Sequence, residues 1–162
     1  MDKEKTLSHF DAAGRPRMVD VSQKEATHRT AVATGFVRMT SEALALVNVG
    51  GGKKGDAAAV AELAGVMAAK RTADLIPLCH PLPLTDARVE SSVDEEAGGV
   101  RVTARVKTTG PTGVEMEALT AVSIACLTLY DMLKGVDRSM TIEDIRLIEK
   151  TGGASEDIKR AP

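Results

Sequence analysis

The feature that most constrains this chain is what its core must do without. Across 162 residues there is no Trp, one Tyr (Tyr130) and two Phe (Phe10 and Phe36), 2% aromatic in all, although 43% of the residues are hydrophobic. The interior must therefore be assembled from Val, Leu, Ile, Met and Ala, and such small side chains fill space only where elements approach closely. The same shortage removes the platforms on which single-stranded RNA or DNA is stacked. A base-stacking sheet would have only Phe36 to offer. Lys+Arg of 21 against Asp+Glu of 23 leaves a net charge of −2. Bulk charge thus does not draw this chain to nucleic acid or to an anionic membrane. The length fits one domain, and the apolar fraction is too high for a disordered chain.

Cys79 and Cys126 lie far apart and neither belongs to a CxxC, so neither a disulfide framework nor a four-ligand zinc site is expected. Two reduced thiols in a cytoplasmic protein is the simpler reading. The first residues, MDKEKTLSHFDAAG, lack the apolar stretch of a signal peptide. No run approaches ~18 consecutive apolar residues, so no membrane span is expected.

Residues 1–28 read as a polar N-terminal arm, partly flexible, in which Met18 to Ser22 could add one extended strand. A single domain is expected over 29–150, followed by a polar tail over 151–162. Arg29 to Arg38 reads as a strand covered on both faces. SEALALV, from Ser41, has a capping residue and a short helical pattern. After Gly50-Gly51-Gly52-Lys53-Lys54-Gly55, Asp56 caps a helix running to about Arg71. Its apolar stripe is Val60, Leu63, Ala64 and Met67. Arg88–Glu95 and Val100–Thr108 alternate with period two around Ala97-Gly98-Gly99, a hairpin pattern. A long helix follows from about Val114 to Lys134, then a strand from Met140 to Lys150. Without the short helix the order is βαββαβ. That is the pattern of an α+β, ferredoxin-like two-layer sandwich, with an antiparallel sheet and both long helices on one face.

Four segments carry more polar chemistry than this fold requires. The glycine- and lysine-rich loop before Asp56 could cradle an anion at a helix N-terminus, although it lacks P-loop spacing; a solvated turn explains it as well. In LCHPLPL, Pro77, Pro81 and Pro83 fix the backbone around His80, whose imidazole can take up or release a proton; a structural histidine is the alternative. TGPTGVEME leads into the long helix with Glu115 and Glu117 in the first turn, where carboxylates also complement the helix dipole. Asp131 and Lys134 share a face at the far end, where an ordinary surface ion pair would account for them. Glu117 and Asp131 are about 21 Å apart along the axis at ~1.5 Å per residue. One small ligand cannot touch both within one chain, so a site that uses both must be shared between subunits.

The strings MVDVS, KKGD, AAKRT followed by LIPLCHPL, TGVEMEALTA, LYDMLK and RLIEKTGG, in order over roughly 7–155, together resemble one family. It is the cyclic pyranopterin monophosphate synthases, the molybdenum cofactor biosynthesis protein C family. The resemblance implies a lyase that converts 3',8-cyclo-7,8-dihydroguanosine 5'-triphosphate to cyclic pyranopterin monophosphate and releases pyrophosphate. It implies a hexamer, a trimer of dimers, with active sites at subunit interfaces and no nucleic-acid or membrane partner. By motif, Asp131 and Lys134 match a catalytic acid/base pair and Lys54 a catalytic lysine. Leu78, Cys79 and His80 match one substrate-binding strip, with His80 also a proton-transfer candidate. Glu115, Met116 and Glu117 match a second strip, and Arg29 a phosphate-holding arginine. Pro111 departs from the pattern, standing where a polar or basic residue is expected. No step of this reaction needs a redox cofactor; whether Mg²⁺ accompanies the triphosphate is left open. A non-catalytic module that binds a metabolite at a dimer interface is the competing class.

Overall fold

The computed structural model describes residues 7–47 and 56–161. In chain order its elements are β1 (Thr27–Arg38), α1 (Ser41–Leu44), α2 (Ala57–Lys70), α3 (Thr72–Leu75), β2 (Leu84–Asp94), β3 (Gly99–Gly110), α4 (Glu115–Leu133), β4 (Thr141–Thr151) and β5 (Ile158–Lys159). The strands form one sheet in the order β2-β3-β1-β4-β5, with every neighbouring pair antiparallel. The fold is α+β. Helices α2 and α4 pack against each other over one face of the sheet, α4 across β1, β3 and β4 and α2 against β2.

Local chemistry places the boundaries. Asp56 caps α2 by accepting a 2.9 Å bond from the Ala59 amide, which satisfies one of the orphan donors of a helix start. The β2–β3 hairpin turns where Gly98 takes φ +73°, with the Asp94 side chain accepting from the Ala97 amide at 2.9 Å. Thr40, rather than Ser41, caps α1, which is a single turn. Met18–Ser22 joins no ladder, and β1 begins at Thr27 rather than Arg29. The tail is not wholly free of structure, since Ile158 and Lys159 pair with Lys150 and Glu149.

The aliphatic core is as small-grained as the composition demands. Ala31, Ala33 and Val37 of β1, with Val100, Val102, Ala104 and Val106 of β3, lie fully buried beneath Ala118, Ala121, Val122, Ala125 and Leu129 of α4. Gly35 sits at the closest approach. A Cβ there would lie 2.6 Å from a Val122 methyl and 3.2 Å from Cys126 Sγ. Gly65 does the same between helices, its missing Cβ falling 2.9 Å from the Ala121 carbonyl oxygen.

That contact overturns the expected inward stripe of α2. The buried side is Ala57, Ala58, Ala61, Gly65, Ala68 and Ala69, while Val60, Leu63 and Met67 are 44%, 61% and 46% exposed. The two helices cross too closely for large side chains between them, so the large ones face away. Helix α4 is long and apolar enough to cross a membrane by length and composition, with a mean hydropathy of 1.4, yet half of that stretch is buried against the sheet and α2. Phe36 is no stacking platform. It is 4% exposed, and the Arg38 and Arg101 guanidiniums lie 5.5 and 5.3 Å from its ring centre. The RNA-binding reading thereby loses its one aromatic.

Gly35→Ala is expected to destabilise the fold by about 1–3 kcal/mol, the usual cost of forcing an atom into a packed core. Denaturant unfolding should show a lower midpoint with an unchanged slope.

Candidate functional site

At the N-terminal end of α4, two loops meet. The segment after α3 cannot continue as a helix through Pro77, Pro81 and Pro83, and it turns through a Cys79 N–H to Ile76 carbonyl bond of 3.1 Å. It packs beside the Pro111–Gly113 turn that starts α4. Between them lies a cavity of about 420 Å³ walled by His9, Leu78, Cys79, His80, Glu115 and Met116. Cys79 Sγ donates to Glu117 Oε1 at 3.7 Å. Burial, then the Glu117 carboxylate, pushes the Cys79 thiol up to about 11. The thiol therefore stays protonated and serves as a donor. Glu117 is 3% exposed, and burial raises its carboxyl above the ordinary value. Its Oε2 is buried with no partner among the described residues. A buried acceptor without a donor is costly unless a ligand supplies one.

Around the other side of Glu115 lies a second, open cavity of about 710 Å³, walled by Lys24, Arg29, Pro111, Gly113, Lys150 and Ser155. Arg29 donates from Nε to the Gly110 carbonyl at 3.0 Å and from Nη2 to the Pro111 carbonyl at 3.1 Å. It thus holds the turn that launches α4 while keeping its charge in the cavity. Lys150, on β4, is 8% exposed and donates to Ser155 Oγ, with Glu115 Oε1 at 4.0 Å. Three cations line this cavity beside the carboxylates of Glu25 and Glu115, and cations so grouped suit a polyanion. Lys24 and Lys150 were not singled out in the sequence. Lys150 reads there as one more residue of an alternating strand, and only the β1–β4 register, which pairs it with Ala31, turns it toward the cavity.

Asp131 and Lys134 sit at the opposite end of α4. Their side chains are 69% and 57% exposed, and Lys134 Nζ donates to Asp131 Oδ1 at 2.6 Å. That bond and the carboxylate's charge hold the Lys134 ammonium above its ordinary value. A separate cavity of about 610 Å³ there is walled by Tyr130, Asp131, Met132, Lys134 and Arg138. The turn beyond it is anchored by Asp137, which accepts from the Thr40 amide at 2.8 Å and from the Ser139 amide and hydroxyl at 2.8 and 2.6 Å. The chain therefore gathers Leu78, Cys79, His80, Glu115, Met116, Glu117 and Arg29 at one end of α4 and leaves Asp131 and Lys134 at the other. Lys54 lies outside the described residues.

The MoaC family model matches residues 18–153, which takes in both ends of α4 and the three cations Lys24, Arg29 and Lys150. The chain belongs to the MoaC family. It is 61% identical over 149 residues to a cyclic pyranopterin monophosphate synthase of Dinoroseobacter shibae, covering 92% of this chain and 94% of that protein. It is equally identical over 150 residues to the protein of that name from Methylobacterium sp. (strain 4-46), covering 93% and 94%. A third, from Parvibaculum lavamentivorans, is 61% identical over 155 residues, covering 96% and 97%. Within this MoaC chain no group of three His, Cys, Asp or Glu among the described residues is placed to hold a metal ion.

Two outcomes follow from these positions. Lys150→Ala is expected to weaken inhibition by pyrophosphate about 10- to 100-fold, the equivalent of one charge-assisted bond of roughly 1.5–3 kcal/mol; titrating the inhibitor against turnover measures it. Hydrogen bonds hold the Asp137 carboxyl at about 2, below its ordinary 3.8, so the stability it adds is present above the ordinary value and lost as pH falls through the lower one. Asp137→Ala should therefore melt below the parent chain at neutral pH, and the gap should narrow between pH 3.8 and about 2.

Proposed function

We propose that this chain converts 3',8-cyclo-7,8-dihydroguanosine 5'-triphosphate to cyclic pyranopterin monophosphate and releases pyrophosphate, a step of molybdenum cofactor biosynthesis. The observation that carries this reading is the 61% identity, over more than nine-tenths of the chain, to proteins named for that synthesis. Local chemistry agrees with it. Arg29, Lys150 and Lys24 would hold the triphosphate. Glu117 would take donors from the base edge, which needs no aromatic sandwich. Asp131 and Lys134, with His80 and Lys54, would move the protons that ring opening and ring closure require. Closing the cyclic phosphate joins a substrate hydroxyl to the α-phosphorus in line with the bond to the departing oxygen. That bond's electron pair leaves with pyrophosphate, whose charge the cations offset. No step of the proposed conversion changes an oxidation state, so none would call on a redox cofactor.

The same reading makes the protein a cytoplasmic homo-oligomer, a hexamer built as a trimer of dimers, with each site at a subunit interface. Two features support it. One is the length of α4, which holds its two functional ends about 21 Å apart. The other is the outward row of Val60, Leu63 and Met67, with Leu127 and Met132 also exposed on α4, apolar surface that a second copy would cover. The order β1-α2-β2-β3-α4-β4, with α1 and α3 as single-turn insertions and β5 as an added edge, supports the ferredoxin-like assignment.

Incubation with the cyclised triphosphate, followed by mass analysis and a pyrophosphate assay, tests the reaction. Product and pyrophosphate in equal amounts are expected; unchanged nucleotide would mark a binding module instead. Asp131→Ala should lower turnover at least about 100-fold without moving the melting temperature, because the side chain is exposed. Turnover within a few-fold of the parent would remove Asp131 from the mechanism.

A further inference from the structure

The N-terminal arm makes a contact that the reaction as outlined does not use. His80 Nε2 lies 2.8 Å from the Val19 carbonyl oxygen, the segment the sequence suggested as a strand. A carbonyl can only accept a hydrogen bond, so the ring nitrogen facing it must carry the proton. In the neutral imidazole that leaves Nδ1 unprotonated, and no described residue bonds it. We propose that the arm is a positioning element for His80: the Val19 carbonyl holds Nε2–H, and Nδ1 is thereby the ring's proton-accepting atom toward the site.

The arm is organised to hold that carbonyl still. Asp20, the next residue, accepts from the Ser22 amide at 2.9 Å and from the Ser22 hydroxyl at 2.5 Å. The turn continues with Lys24 N–H donating to the Val21 carbonyl at 3.0 Å. On the other side the Arg17 amide donates to the His9 carbonyl at 2.9 Å, and His9 itself walls the His80 cavity. The peptide between Val19 and Asp20 is thus fixed by local turns although it joins no sheet, and Pro81 restricts the backbone of His80.

The tautomer decides the direction of proton transfer. Neutral His80 cannot donate from Nδ1. Its first act must be to take a proton there from a substrate N–H or O–H, with the electron pair of that bond staying on the substrate atom. The imidazolium can then return the same proton from Nδ1 to a leaving or newly formed basic atom, while Nε2–H stays on Val19. The inference rests on His80 belonging to the proposed site.

Full-length chain labelled with ¹⁵N-histidine tests it, since only three histidines contribute and His80→Gln assigns the third. Long-range ¹H–¹⁵N correlation with the ring neutral should show a pyrrole-like Nε2 and a pyridine-like Nδ1, with an Nε2 proton protected from exchange. Asp20→Ala, which frees the turn without touching the site, should lose that protection. It should also lower kcat about 10-fold, a fraction of the general acid–base contribution, with KM within twofold. Asp20→Asn keeps the acceptor and should restore both. A pyrrole-like Nδ1 would overturn the proposal, and so would a protected Nε2 proton and full kcat in Asp20→Ala. Product formation by the parent chain with undiminished turnover in His80→Gln would overturn the proton role while leaving the synthase reading intact.

Discussion

Helix α4 rests on β1 at Gly35, where any side chain would strike Val122 and Cys126. On its other flank Gly65 lets α2 come within contact of the Ala121 carbonyl. These two approaches hold α4 as one 19-residue helix, Glu115–Leu133, buried along the sheet rather than broken or tilted away. Everything polar at its ends inherits that geometry. The first turn is tied to the LCHPLPL segment through Cys79 and Glu117, and the turn that follows the helix is tied to the β1–α1 link through Asp137 and Thr40. A core with larger side chains would push the helices apart and loosen both ends.

Much of this was legible in the residues, for reasons that differ element by element. The strands of the hairpin alternate cleanly and turn at Gly98, so period and turn chemistry agreed. Asp56 announces α2, and Glu115 and Glu117 announce α4, because helix ends need their orphan amides and dipoles answered locally. The inward side of α2 was misread because spacing identifies a stripe without saying whether the domain core or something outside it covers that stripe. Here the alanine and glycine side goes inward and Val60, Leu63 and Met67 go outward. In the candidate site, Glu117 and His80 stood out by type and setting, whereas Arg29 stood out only through the family resemblance. Lys150 did not, because its role comes from strand register and from Ser155 in the tail, neither of which a local pattern encodes. The Val19 contact to His80 was equally hidden, since a backbone carbonyl has no sequence signature.

The scarcity of aromatics connects packing to chemistry. It forces the close helix contacts, and under the proposed function it would leave a guanine-derived ligand to be recognised by hydrogen bonds. In the proposed site Glu117 Oε2, buried and without a partner among the described residues, would take donors from such a base edge. Beside it, Arg29, Lys24 and Lys150 gather positive charge in a chain whose net charge is −2. Local arrangement, and not overall charge, would make this cavity a polyanion site.

In the proposed oligomer the two ends of α4 serve one site through different subunits. Mixing two variants that are each expected to be inactive alone, Glu117→Gln and Asp131→Ala, and assaying verified mixed oligomers tests this sharing. Random exchange should place both intact ends at roughly a quarter of the sites, and turnover should recover to about that fraction of the parent. Mixed oligomers that stay inactive would contradict a shared site.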